Sequence, residues 1–147
     1  MNNLRWKIVI GVIMLLLWGY TQADARELAI ISNKDYPAST ISTNKVKEIY
    51  LGEKMSEGSI KIRPMDQNDE LVRRKFIERV MGTTVDGYKA YWIKKFFQEG
   101  IAPPTAKASS AEMIHSVANI SGGIGYVWLD EIRVDSVKIL LKIDVGN

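Results

Sequence analysis

Side chains able to do chemistry are scarce in this chain, and their spacing narrows what that chemistry could be. The 147 residues contain one histidine, His115, and no cysteine. Disulfides, thiolate metal sites and cysteine nucleophiles are therefore excluded. His115 lies between Ile114 and Ser116 in a helical pattern. Neither its neighbours nor its spacing supply the partners of a metal site or a Ser-His-Asp triad, so it reads as a partly buried residue between the inner and outer faces of a helix. Asp66, Asp69 and Glu70 cluster, but without the central glycine and distal glutamate of a calcium loop. They read as acids that complement the first turn of a helix. Gly122, Gly123 and Gly125 follow a helical pattern and precede a strand, the reverse of a phosphate-cradling loop. Helix termination and close strand packing explain them. The run Arg73-Arg74-Lys75 reads as a solvated helix face. With no nucleophile–base pair, metal set or cofactor motif, the chain is expected not to be an enzyme and to carry no cofactor or metal.

Charge and targeting narrow the setting. A formal charge of +3, spread along the chain, does not make a nucleic-acid surface. Residues 1–25 read as a signal peptide. Arg5 and Lys7 precede an apolar run from Ile8 to Tyr20, and Ala23-Asp24-Ala25 has the small-x-small form of a cleavage site. That run is shorter than the about 20 apolar residues of a spanning helix. Cleavage after Ala25 leaves residues 26–147, the length of one domain. Without a cysteine to acylate, the lipoprotein route is closed. The expected location is the periplasm, with membrane contact only through the signal segment before cleavage.

The elements that must position any site follow from local pattern. Leu28-Ala29-Ile30-Ile31 is a continuous apolar run, as in a strand buried on both faces. Asn33 to Thr40 reads as a loop. Ser42 is placed to cap a first helix with Val46, Ile49 and Tyr50 inside and Gly52 at its end. Ser59 to Arg63 alternates as a strand that runs into a loop at Pro64. A second helix is expected from Asn68 or Asp69, with Val72, Phe76 and Val80 inside and Gly82 as its stop. Thr83-Thr84-Val85-Asp86 opens a third, whose Tyr88, Trp92 and Phe96 form an aromatic core stripe beside Tyr91. Gly100 ends it before the extended Pro103-Pro104. Ser109-Ser110-Ala111-Glu112 is a capping box for a fourth helix with Met113, Ile114 and Val117 inside. Val137 to Ile143 is the last strand. This order predicts an α/β domain around one mixed sheet.

Several stretches, in this order, resemble the phosphate-type periplasmic binding protein superfamily, and in particular its small stand-alone PstS-like domains. They are "LAIISNKDYPASTISTNKVKEIYLGE", "FIERVMG", "YWIKKFFQEG", the following "PP" and "GGIGYV". Tyr50 and Leu51 take the aromatic and apolar places before Gly52, and the likeness runs from about Leu28 into the final strand. The resemblance implies a single periplasmic-binding-protein-like (type II) lobe, a mixed sheet flanked by helices, over residues 26–147. It further implies an oxyanion such as phosphate as ligand, held by free amides and the dipole at a helix N-terminus. The candidate ligand-binding residues are then Ser39, Thr40, Asn68 and Arg73. Where the family carries a serine-glycine-threonine turn, this chain carries Glu70, Leu71 and Val72.

Two functions are compatible with these residues. One is an extracytoplasmic solute-binding-like protein, related to phosphate transporter components, that takes a small anion and works with a transporter permease. The alternative is a non-transporting single-lobe accessory protein that contacts another cell-envelope protein. Under either, N-terminal sequencing of the exported protein should begin at or near Arg26. Met1 retained on membrane-bound protein would contradict the export reading.

Overall fold

The computed structural model describes residues 26–146, so the expected signal peptide at residues 1–25 lies outside the described residues. The apolar run forms β1 (Glu27–Ser32), buried from Leu28 to Ser32. Its place in the sheet requires that burial. β1 lies between β6 (Gly123–Trp128) and β7 (Lys138–Asp144) and is antiparallel to both. β4 (Arg63–Gln67) runs parallel to β6 and to the edge strand β5 (Thr105–Lys107). The mixed sheet has the order β5-β4-β6-β1-β7, and the short β2 (Ser56–Glu57) and β3 (Ile60–Lys61) pair separately.

Each helix begins at a side chain that satisfies amides its first turn leaves free. Ser42 accepts from the Lys45 amide at 3.2 Å to open α1 (Thr43–Tyr50). Asp69 opens α2 (Glu70–Phe76), which widens into a π-helical turn, Ile77–Met81, before Gly82. Thr84 accepts from Gly87 at 3.0 Å to open α3 (Val85–Glu99). Ser109 accepts from Glu112 at 3.2 Å to open α4 (Ser110–Asn119), while the Glu112 carboxylate reaches back to the Ala108 amide at 2.7 Å.

Side chains alternate across the strands, so the sheet builds two cores. On one face Leu28, Ile30, Ile124 and Tyr126 pack with Val46, Tyr50, Val72, Phe76, Tyr88 and Trp92 from α1, α2 and α3. On the other, Ala29, Ile31 and Val127 pack with Met113, Ile114 and Val117 from α4. Two glycines of the "GGIGYV" stretch are needed for this closeness. A Cβ on Gly122, whose φ is +71°, would overlap the Lys61 carbonyl, and one on Gly125 would overlap Met113. Helix termination and strand packing thus account for them.

Three local expectations are corrected. Pro64 lies inside β4 and does not end a strand. Pairing passes there from β6, which holds Arg63 and Pro64, to β5, which holds Met65 to Gln67. A missing N–H is tolerated at that change of partner. The aromatic stripe also breaks: Tyr88 and Trp92 are buried, but Phe96 is 49% exposed. α3 is held at the end of α1, where the Tyr88 hydroxyl donates to the Tyr50 carbonyl at 3.0 Å and the Tyr91 hydroxyl to Leu51 at 2.7 Å. Its later turns leave Ile93, Phe96 and Phe97 in the open. Third, Arg73 turns inward and does not belong to a solvated basic face.

Two substitutions test this packing. Trp92→Ala should cost about 3–5 kcal/mol in equilibrium unfolding, as for other large core truncations. A loss under about 1 kcal/mol would place Trp92 on the surface. Gly122→Ala should destabilise more than Gly58→Ala, because nothing lies within 4 Å of a Cβ at Gly58.

Candidate functional site

The site lies where the sheet stops being a ladder. β4 and β6 pair only at Arg63–Gly123 and Pro64–Ile124. Beyond that, side chains bridge the strands. Gln67 Nε2 donates to the Tyr126 carbonyl at 2.7 Å, a bond that takes the place of a ladder contact. Tyr126 Oη donates to Asp66 Oδ1, and the Gln67 amide donates to the same oxygen at 2.8 Å. Arg73 Nε donates to Asp66 Oδ2 at 3.0 Å. Asp66 is only 8% exposed, so both oxygens of a buried carboxylate are matched by donors. Burial of a charge is tolerated on that condition.

Packing holds the donors in place. The Tyr126 ring stacks on Phe76 with centroids 3.9 Å apart and planes 2° from parallel. Tyr50 meets Phe76 edge-on at 4.7 Å, and its hydroxyl donates to the Met65 carbonyl at 2.8 Å. Burial, reinforced by the Asp66 carboxylate, pushes the Tyr50 and Tyr126 hydroxyls well above the usual phenol range. Tyr88 is raised chiefly by burial. All three hydroxyls therefore stay protonated as donors at neutral pH.

A second carboxylate fills the neighbouring donors. Asp69 Oδ1 accepts from the Leu71 amide at 3.0 Å and from the Val72 amide at 3.2 Å. Such amides at the start of a helix are what an external anion would use. Glu70 stands exposed beside them and adds a further negative charge. The Arg73 guanidinium, tied to Asp66, also lies over the Tyr88 ring at 6.0 Å. Among the described residues no group of acids and histidine is arranged to hold a metal.

The four residues expected from sequence are divided. Asn68 and Arg73 line one groove of about 480 Å³, together with Asp66, Glu70, Leu71 and Arg74. Ser39 and Thr40 are exposed in the loop before α1 and line neither this groove nor the adjoining one. That loop runs against β7, where the Ile41 amide donates to Leu140, at the opposite edge of the sheet from β5. Sequence reasoning missed Asp66, Gln67 and Tyr126 as one unit. The pair Asp66 and Arg73 spans a strand–helix junction, and Tyr126 arrives from β6, so local spacing carries no sign of them. The adjoining groove, about 450 Å³, shares Asp66 and Arg73 and is otherwise dominated by α3, with Trp92, Ile93, Phe96 and Phe97. Phe97 is 81% exposed.

No family model matches the chain, and no curated protein matches it. Solved structures do. A protein of Clostridium perfringens, named as a phosphate ABC transporter substrate-binding protein and crystallised with bound phosphate, is 19% identical with a TM-score of 0.63. The match covers 78% of this chain and 44% of that one. An ABC-type phosphate transport receptor of Vibrio cholerae gives 18% identity and a TM-score of 0.60, over 78% and 45% of the two chains. PstS of Borrelia burgdorferi gives 14% and 0.61, over 78% and 46%. The chain spans less than half the length of each of these proteins. At this identity the likeness concerns architecture, and in architecture the chain is a periplasmic-binding-protein-like lobe, a mixed sheet flanked by helices.

Proposed function

We propose that residues 1–25 direct export and that residues 26–147 act in the periplasm as a single-lobe accessory module. In this reading the lobe contacts another cell-envelope protein and does not capture inorganic phosphate. One observation carries it: the amides at the start of α2 and Arg73 Nε are already engaged by the chain's own carboxylates. Asp69 takes the Leu71 and Val72 amides, and Asp66 takes Arg73 Nε and the Tyr126 hydroxyl. A phosphate dianion held by those amides would have to displace Asp69 and would face Glu70 as well. Repulsion between close like charges in a partly desolvated site is only weakly screened. The exposed Ile93, Phe96 and Phe97 supply a contact face instead, since clustered apolar surface marks sites of association. Nothing in this arrangement calls for a catalytic group.

A second reading has one observation in its favour. Asn68 and Arg73, the neutral donor and the cation, line the same groove. A small anion could meet them there without displacing either carboxylate, and the role would then be solute capture, in line with the Clostridium perfringens structure that holds phosphate.

Calorimetric titration of the exported protein with inorganic phosphate separates the two. The accessory reading predicts a dissociation constant weaker than about 1 mM, less than about 4 kcal/mol of binding. A micromolar constant, about 8 kcal/mol, would overturn it and restore solute capture.

A further inference from the structure

We propose that a third groove, which shares the Pro103–Pro104 segment with the aromatic groove, receives an acidic, apolar-rich segment of a partner protein. This rests on the accessory reading above and names the chemistry of the partner. The groove holds about 410 Å³ and shares Trp92, Pro103 and Pro104 with the aromatic groove of α3. Every charged residue that lines it is basic. Lys54 is tied to Glu57 at 3.1 Å. Lys61, Arg63 and Lys107 have no ion-pair partner among the described residues. The same groove is also lined by the apolar Met55, Trp92 and Ile101, with Met55 itself 50% exposed.

Three features of the lining select the occupant. Unpaired cations of one sign call for carboxylates, because charge complementarity decides which partners are tolerated. An apolar floor gives inorganic phosphate nothing to bind but gives aliphatic or aromatic side chains a surface to cover. A concave groove of this volume matches the scale of a ligand site and not the flat face of a bilayer. A peptide segment that carries Asp or Glu beside Leu, Ile or Phe satisfies all three.

The test is selection of random dodecapeptides displayed on phage against the exported protein, followed by fluorescence anisotropy with the strongest peptide. The selected sequences should combine acidic and apolar residues. Lys61→Glu with Arg63→Glu should weaken the peptide about ten-fold or more while leaving the melting temperature unchanged, since both side chains are exposed. Raising the salt from about 0.05 to about 0.5 M should weaken it further. Failure to enrich any consensus, or a neutral or basic consensus, would overturn the inference. So would tighter binding to phosphatidylglycerol vesicles than to peptide, or a self-association abolished by Lys61→Glu, which would make the occupant a second copy. Peptide binding lost in Phe97→Ser but kept in Lys61→Glu would also sink this groove, yet leave the accessory reading standing. Micromolar binding of phosphate alone would sink that reading instead.

Discussion

The Asp66 carboxylate is the group around which this end of the molecule is organised. It sits at the carboxyl end of β4, nearly out of water, and takes donors from a strand, a helix and its own following amide. Removing one partner from a buried charged pair costs about 3–5 kcal/mol, because the other is left uncompensated. The surroundings follow from that requirement. Tyr126 must reach it from β6, so β4 and β6 part after Pro64, and Gln67 fills the opening. Arg73 must face inward from α2, so α2 packs Phe76 against the Tyr126 ring. The candidate site is altered too, since Arg73 Nε is already engaged by Asp66.

A lobe of this architecture presents strand ends and helix starts on one side, which is where α/β sheets commonly bind ligands. Here the chain's own acids occupy that side. Asp66 engages the guanidinium and Asp69 engages the first amides of α2. What is left open is apolar on α3 and basic between Lys61 and Lys107. On the accessory reading proposed above, both surfaces meet a polypeptide. The chain also spans less than half the length of the solved structures it resembles.

Much of the fold was legible because its signals are local. Ser42, Asp69, Thr84 and Ser109 each cap a helix within three residues of themselves, and β1 is a continuous apolar run. The "GGIGYV" glycines could be assigned to close packing from their order alone. The misreadings share one cause, which is dependence on a distant partner. Pro64 fits a strand only because pairing changes from β6 to β5 at that residue. Phe96 keeps the helical spacing of Tyr88 and Trp92, yet the end of α1 holds only the first part of α3. Of the site, Asn68 and Arg73 were found together, whereas Ser39 and Thr40 lie toward the β7 edge. Asp66 was visible as an acid near a helix start, but its partners come from α2 and β6 and no spacing joins them.

The central claim is that Asp66 stands where an anion would otherwise be held. Chemical rescue of Asp66→Ala tests it most directly, by unfolding the variant in urea with and without formate. If the account holds, formate should restore part of the lost stability, because a free carboxylate can enter the vacated space between Arg73, Tyr126 and the Gln67 amide, and binding to the native state alone stabilises it. The wild-type protein should show no such gain. Equal responses of the two proteins to formate would contradict the account.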